Sequence, residues 1–248
     1  SSGIGADTSG NDNHFAIDSD NTDLSSTTDT ATNNFITWNP LSQKQAAITT
    51  FARGNLDADF ADNSNYQIAV GSIAVTNGKW YAEIKMIDDG GNTDLKIGVC
   101  EASPTNDNVN PETEIEYRIV QSWNGHKRET GSSATSSSGG TAFTTNGDIV
   151  SVYLDMDNGT LKMAVNGTMM NSGNSLFTNL LSDMPHGGWT FFAYGYDDAN
   201  VQANFGNPPF SISSGNSDAN GYGNFEYDPT LSSVEYYALC TKNLAEYG

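Results

Sequence analysis

Cleaving a glycosidic bond takes two carboxylates, one to protonate the leaving oxygen and one to act as nucleophile or base. The chain offers few such pairs. Asp155 and Asp157 stand two apart, but they flank Asn158-Gly159, where aspartate bonds the backbone of a turn, and they are read as turn residues. Glu112, Glu114 and Glu116 alternate. On a strand they would share a face, either holding a cation or, the preferred reading, keeping another strand from adding to an edge. Residues 7–13 and 88–94 place hard oxygen ligands at alternate positions, as calcium requires. Neither fits the helix-flanked calcium loop, and each reads better as a turn, so calcium stays open as the one cofactor. His14, His126 and His186 are scattered, with no Gly-x-Ser-x-Gly nucleophile near them. Cys100 ends an apolar strand pattern and reads as a buried free thiol. A disulfide with Cys240 is left open by spacing, and no Cys/His group has zinc-ligand spacing. No catalytic residue is assigned, and the chain reads as a binding protein rather than an enzyme.

Charge narrows the partners. The 248 residues carry 30 acidic against 10 basic side chains, a formal net charge of −20. A duplex binder needs Lys and Arg to displace counterions from phosphates, and anionic membrane surfaces attract basic segments, so neither nucleic acid nor a membrane is expected as partner. No apolar run has the length of a membrane span. The chain opens inside a polar phrase and reads as a mature product or a piece of something longer.

The elements that must position any site are strands. In residues 79–86, Trp80, Ala82, Ile84 and Met86 alternate with Tyr81, Glu83 and Lys85, a period of two that predicts one face in a core and the other toward solvent. Residues 95–100 and 116–123 predict two more strands. Residues 148–165 predict a hairpin: Val150, Val152, Leu154 and Met156 face Leu161, Met163 and Val165 across Asn158-Gly159, whose positive φ angles suit a tight turn, and Asn166-Gly167 marks the next one. Residues 189–196 and 201–205 predict a late strand pair joined through Asp197-Asp198. Residues 1–34 are an extended polar arm, too poor in apolar side chains to bury a core. Residues 35–207 hold the sandwich, and 208–248 form an aromatic, polar extension expected to lie against it or against a neighbour.

Four motifs then point to a family. Gly78-Lys79-Trp80-Tyr81-Ala82-Glu83-Ile84, Lys96-Ile97-Gly98-Val99, the stretch from Gly147 to Gly167, and Asn204-Phe205-Gly206 resemble, in order, the motifs of SPRY domains. The resemblance implies an all-β fold: a bent antiparallel β-sandwich of the concanavalin A-like type. The related glucanases carry Glu-x-Asp-x-x-Glu on an inward-facing strand, and this chain has no such run. The flanking phrases, among them Gly5-Ala6-Asp7-Thr8-Ser9-Gly10-Asn11 and Tyr237-Ala238-Leu239-Cys240, look like those around SPRY-like domains of tailed-phage structural proteins.

The resemblance further implies binding through loops at one end of the sandwich. Trp123, Asn124, His126, Arg128, Tyr196, Asp197 and Asp198 are the candidate ligand-binding residues; Trp123 and Tyr196 would be anchors if exposed, and a core position stays open for both. Trp189 and Tyr194 fall on a strand pattern and are assigned to the core. The expected role is a virion protein, such as a tail fibre, tail-associated adhesin or capsid decoration. It would be extracellular and homo-oligomeric, and would contact other virion subunits or host-surface polysaccharide. A secreted or cellular lectin-like or protein-interaction module is the alternative.

Overall fold

Period-two apolar patterns cannot be satisfied by a single sheet in water, and they pair two sheets face to face. A computed structural model describes residues 6–7, 9–15, 27–42, 48–91, 95–102, 115–130 and 137–248. Its strands are β1 (Thr50–Ala52), β2 (Asp57–Phe60), β3 (Gln67–Val70), β4 (Lys79–Asp88), β5 (Lys96–Glu101), β6 (Tyr117–Gln121), β7 (Lys127–Glu129), β8 (Ile149–Asp155), β9 (Thr160–Val165), β10 (Thr168–Met169), β11 (Trp189–Gly195), β12 (Ala199–Asn204), β13 (Thr230–Leu231), β14 (Val234–Glu235) and β15 (Tyr237–Ala238), followed by a short helix α1 (Thr241–Tyr247). One sheet runs β1-β2-β12-β4-β8-β9-β10, with β15 added parallel to β4. The other runs β3-β11-β5-β6-β7. The expected all-β antiparallel sandwich is what forms. The inner faces meet in one core containing Trp80, Ala82, Ile84 and Met86 of β4, Val150, Val152 and Leu154 of β8, and Ile97, Val99, Phe191 and Ala193 of the facing sheet.

The 148–165 hairpin pairs as its pattern predicts, with Val150 opposite Val165, Val152 opposite Met163 and Leu154 opposite Leu161. Its turn differs from the expectation. Asp155 still pairs with Thr160, so four residues make the connection, and Gly159 (φ +65°) takes the left-handed conformation while Asn158 does not. The Asp155 carboxylate accepts the Asn158 backbone N–H at 3.0 Å and its side-chain amide at 2.8 Å, which stabilises the loop without a second left-handed residue. The two-residue left-handed turn falls instead at Asn166 (φ 48°) and Gly167 (φ 76°), where Val165 pairs with Thr168.

Gly98 shows why the Ile-Gly-Val strand has no side chain at its centre. A Cβ there would run into the Arg118 carbonyl oxygen and stand 2.8 Å from Ile119 Cα on the neighbouring strand. Gly98→Ala is therefore expected to push β5 from β6 and to cost about 2–3 kcal/mol, as overpacking of a close-packed site does. The urea midpoint of the variant checks this, and an unchanged midpoint would mean the strands part at little cost.

The outer face of β4 corrects the sequence reading. Tyr81 and Glu83 were expected to face solvent, yet both are fully buried. Alternation along a strand says which residues share a face, not what covers that face. Here the cover is the C-terminal extension. Phe225, Tyr236 and Ala238 pack on Tyr81, Tyr153 and Ala164, and the Tyr81 ring lies edge-on to Phe225 at 4.9 Å. Glu83 is the polar centre of this layer. One oxygen accepts the Tyr81 hydroxyl (3.0 Å) and the Tyr227 N–H (2.7 Å), and the other accepts the Asn204 amide (2.9 Å) and the Glu226 N–H (3.0 Å). Burial pushes its carboxyl above the usual range, opposed by the donors around it.

The N-terminal residues reach both sides of that sheet. Phe35 packs on the outer cluster and bridges to Cys240, whereas Ile36 and Trp38 enter the core between the sheets. Trp38 bridges to Gly71, and Ile36 donates its N–H to the Leu239 carbonyl at 3.1 Å. The segment before Phe35 touches the chain's own C-terminal part. Asn33 Oδ1 accepts the Lys242 N–H at 3.1 Å, and Thr28 donates to Asn207 Oδ1.

Candidate functional site

Tyr194 of β11, Lys96 of β5 and Gln121 of β6 lie side by side across three neighbouring strands. The loop leaving β11 and the loop leaving β6 therefore emerge at the same end of the sandwich, with roots about 10 Å apart, twice the strand spacing. This brings Trp123, Asn124 and His126 to the same end as Tyr196, Asp197 and Asp198. Arg128 is placed differently. It sits within β7, opposite Ile119, on the sheet edge rather than on a loop.

Each loop is built by its own sequence. In the 122–126 loop the Asn124 side chain accepts the His126 N–H at 2.8 Å, Gly125 (φ +65°) turns the chain, and Gln121 accepts the Gly125 N–H at 3.1 Å. Trp123 at its tip is 53 % exposed, the largest exposed ring among the described residues apart from Phe15. In the 196–198 loop Asp197 (φ 60°) and Asp198 (φ 66°) are two consecutive left-handed residues, a conformation that costs free energy in any residue with a Cβ. They are held by bonds from their N–H groups to the carbonyls of Asp62 (2.9 Å) and Phe60 (3.0 Å). The turn after β4 closes from the other side, where a Cβ on Gly90 would meet the Asp197 carbonyl at 2.6 Å and the Tyr196 carbonyl at 2.8 Å.

Beneath the surface residues lies an aromatic support. The Lys96 ammonium, fully buried, stands 4.5 Å from the Tyr66 ring and 4.7 Å from the Tyr194 ring, and Tyr66 packs edge-on to Tyr196 at 5.0 Å. Such cation–π contacts strengthen with desolvation. Tyr194 and Trp189 are fully buried, as their strand pattern predicts, while Tyr196 is half-buried and open at its rim. Burial beside the Asp198 charge raises the Asp59 carboxyl above its ordinary value. The whole end is acidic and aromatic, and its shape is preformed.

The opposite end holds a cluster that sequence reasoning missed. Arg118, 1 % exposed, reaches Glu116 (2.7 Å), Glu129 (3.2 Å) and Asp183 (2.7 Å), and its guanidinium lies 5.1 Å from the Trp189 ring. Asn179 accepts from Arg118 Nε at 3.3 Å and donates to Glu129 and Asp183. The Arg118 partners Glu116, Glu129, Asn179 and Asp183, with Glu101, Thr130, Pro185 and His186, line a cleft of about 640 Å³. The sequence signal was a lone arginine two residues after Glu116 on one strand face. Glu112 and Glu114 lie outside the described residues, and Glu116 precedes β6, an inner strand, where it pairs with Arg118 instead of guarding an edge.

The remaining chemistry-bearing residues have structural partners. Asp155 caps its turn, and Asp157 pairs with Lys79 and accepts the Gly78 N–H at 2.8 Å. The Lys79 hydrogen bond holds the Asp157 carboxyl below its ordinary value, so this pair anchors the turn to β4 instead of forming an acid and a base. Asp7 accepts the N–H groups of Ser9 (2.7 Å) and Asn13 (2.9 Å). Asp88 and Asp89 do the same for Gly90 and Gly91. Residues 8 and 92–94 of the two calcium-like loops lie outside the described residues. Cys100 and Cys240 are both buried and free, and burial pushes both thiols up.

Two sheets of antiparallel strands packed on one core, with β15 added parallel at β4, define an all-β sandwich. A family model described as "SPRY domain" matches residues 79–207, more than half of the chain, and the chain belongs to the SPRY-domain family. Among solved structures it is similar to the SPRY domain of human HERC1, at 16 % identity and TM-score 0.52, over 67 % of this chain and 96 % of that one. It is also similar to a second human SPRY domain, at 13 % identity and TM-score 0.46, over 64 % and 94 % of the two chains. These likenesses concern the fold. No curated protein matches the chain.

Proposed function

We propose that the chain is a non-catalytic binding domain that captures its partner on the loop end around Trp123, Tyr196, Asp197 and Asp198. Membership in a family of interaction modules supports this, and one observation carries it: a large ring exposed at the tip of a loop that is already held in shape. A rigid aromatic anchor buries area at little entropic cost. Asn124 and His126 offer polar contacts beside it, and the two aspartates favour a partner with basic groups facing them.

Within that reading the domain belongs to a phage virion, as a tail fibre, tail-associated adhesin or capsid decoration. It would be held in a homo-oligomer against other virion subunits and would present the loop end to host-surface polysaccharide. The flanking phrases that resemble tailed-phage structural proteins support this step. A cellular protein-interaction module is the second reading, supported by the family itself. A glycan array and a mass measurement of the assembled particle separate the two. Trp123→Ala is expected to weaken capture by tenfold or more, since central aromatic anchors typically contribute about 2 kcal/mol or more, while leaving the thermal midpoint unchanged. Undiminished capture by this variant would remove the loop end from consideration.

A further inference from the structure

The layer formed by the N-terminal residues and the C-terminal extension encloses a groove that the loop-end reading does not use. It has a volume of about 390 Å³, within the range of small-ligand sites. It lies beyond the far end of β12 from the 196–198 loop, so it is a separate surface. Its lining is unlike the rest of this acidic molecule. Among the described residues Lys242 is its one charged lining side chain, and none of them lines it with a carboxylate.

Two carboxylates stand behind the lining residues, and both accept hydrogen bonds there. Asp29 accepts the Phe35 N–H at 2.8 Å. Asp218 accepts the N–H groups of Asn220, Tyr222 and Ala238 and the Asn243 amide. Lys242 is exposed and makes no ion pair among the described residues. In a chain with three acidic residues for each basic one, a groove whose described lining holds a lysine and no carboxylate marks a place for an anion.

The other lining groups describe the rest of the ligand. Phe35 and Tyr222 are half-buried rings that pack on the outer-face cluster and turn their remaining surface to the groove. Gly206 and Gly223 contribute backbone to the lining, each lacking a side chain because a ring packs against it. A Cβ on Gly206 (φ +124°) would meet the Phe35 ring and stand 3.2 Å from Gly223 Cα. Thr30 and Thr32 supply hydroxyls, 3.4 Å from each other, and both remain exposed to a ligand. Rings for an apolar face, hydroxyls for polar edges and one cation for a negative group together match a sugar ring that bears a carboxylate.

We propose that this groove is a binding site for an acidic saccharide, a pyranose unit whose carboxylate pairs with Lys242 while its CH face lies on Phe35 or Tyr222. The net negative charge does not forbid it, because repulsion from distant carboxylates is screened over about 8 Å at physiological salt. The site stands independently of the Trp123 reading, and either can fail without the other.

Amide NMR on the full chain, titrated separately with glucuronate, glucose and acetate, tests it. Saturable shifts at the Gly206, Gly221 and Gly223 amides are expected with glucuronate and not with the other two. Lys242→Gln, at an exposed position, is expected to weaken the glucuronate response by about tenfold, the effect of losing one charge-assisted hydrogen bond, while Trp123→Ala leaves it intact. Equal shifts with acetate would overturn the saccharide assignment. Equal shifts with glucose, unmoved by Lys242→Gln, would overturn the role of the charge. Absence of saturable shifts with glucuronate would overturn the site.

Discussion

Arg118→Met is expected to lower the unfolding free energy by about 3 kcal/mol, the lower end of what removing one partner from a buried charge network costs. The guanidinium is 1 % exposed and holds three carboxylates, at 2.7, 3.2 and 2.7 Å. It also donates to the Tyr117 carbonyl at 2.8 Å. Methionine fills much of the volume but leaves that carbonyl without its side-chain donor and three acids facing one another. The effect stays at the lower end because Glu116, Glu129 and Asp183 keep about a third of their side-chain surface in water, where solvent compensates part of the loss. A double-mutant cycle with Asp183→Asn separates packing from charge. The pair is expected to couple by about 1 kcal/mol or more, whereas additive losses would reduce Arg118 to a filler of space.

Glu83→Gln is expected to cost about 2 kcal/mol, although it changes one atom. All four groups around the carboxylate are donors, and two of them are the backbone N–H groups of Glu226 and Tyr227. Whichever way a glutamine amide turns, its NH₂ opposes one of those N–H groups, and an unsatisfied buried donor costs about 1–3 kcal/mol. The C-terminal extension should loosen first, seen as faster hydrogen exchange at residues 225–238. The pH dependence gives a second check. Burial raises the Glu83 carboxyl above its ordinary value, so the folded state binds this proton more tightly than the unfolded chain does. The contribution of Glu83 to stability therefore rises as pH falls from neutral through the raised value and levels off below the unfolded value of about 4.3. Asp157, held below its ordinary value by Lys79, acts in the opposite sense and loses its contribution as pH falls. The difference between wild-type and Glu83→Gln profiles isolates Glu83. A difference that is flat from pH 7 to pH 4 would show that its proton is bound equally in both states.

Much of the sandwich was legible because strand alternation and turn chemistry are local. The faces of β4 and β8 follow from which residues lie two apart, whereas the register of the β8–β9 hairpin depends on its four-residue turn and the need for Gly98 on how closely β6 approaches β5. Trp189 and Tyr194 were legible as core from the same alternation. The candidate residues other than Arg128 fall on loops, with Trp123 exposed at a loop tip and Tyr196 half-buried, a distinction that strand alternation does not reach because it ends where the strands end.

What was not legible depends on which distant segments meet. Alternation placed Tyr81 and Glu83 on the outer face, but only the packing of residues 225–238 onto that face turns Glu83 into a buried hub. Arg118 reads locally as one more strand residue. It becomes the centre of an ion network because the chain around Asn179 and Asp183, more than sixty positions on, closes over it. The groove at Lys242 arises the same way, from Thr30 and Phe35 meeting Gly206, Tyr222 and Lys242. The sequence by itself determined the central strands and the four motifs whose resemblance implies the two-sheet class and the family, because strands and motifs rest on spacing within a few residues. The tertiary structure alone decided which polar side chains are buried, which carboxylates share a cation and where a ligand has room, because those depend on the free energy of bringing remote segments out of water against one another.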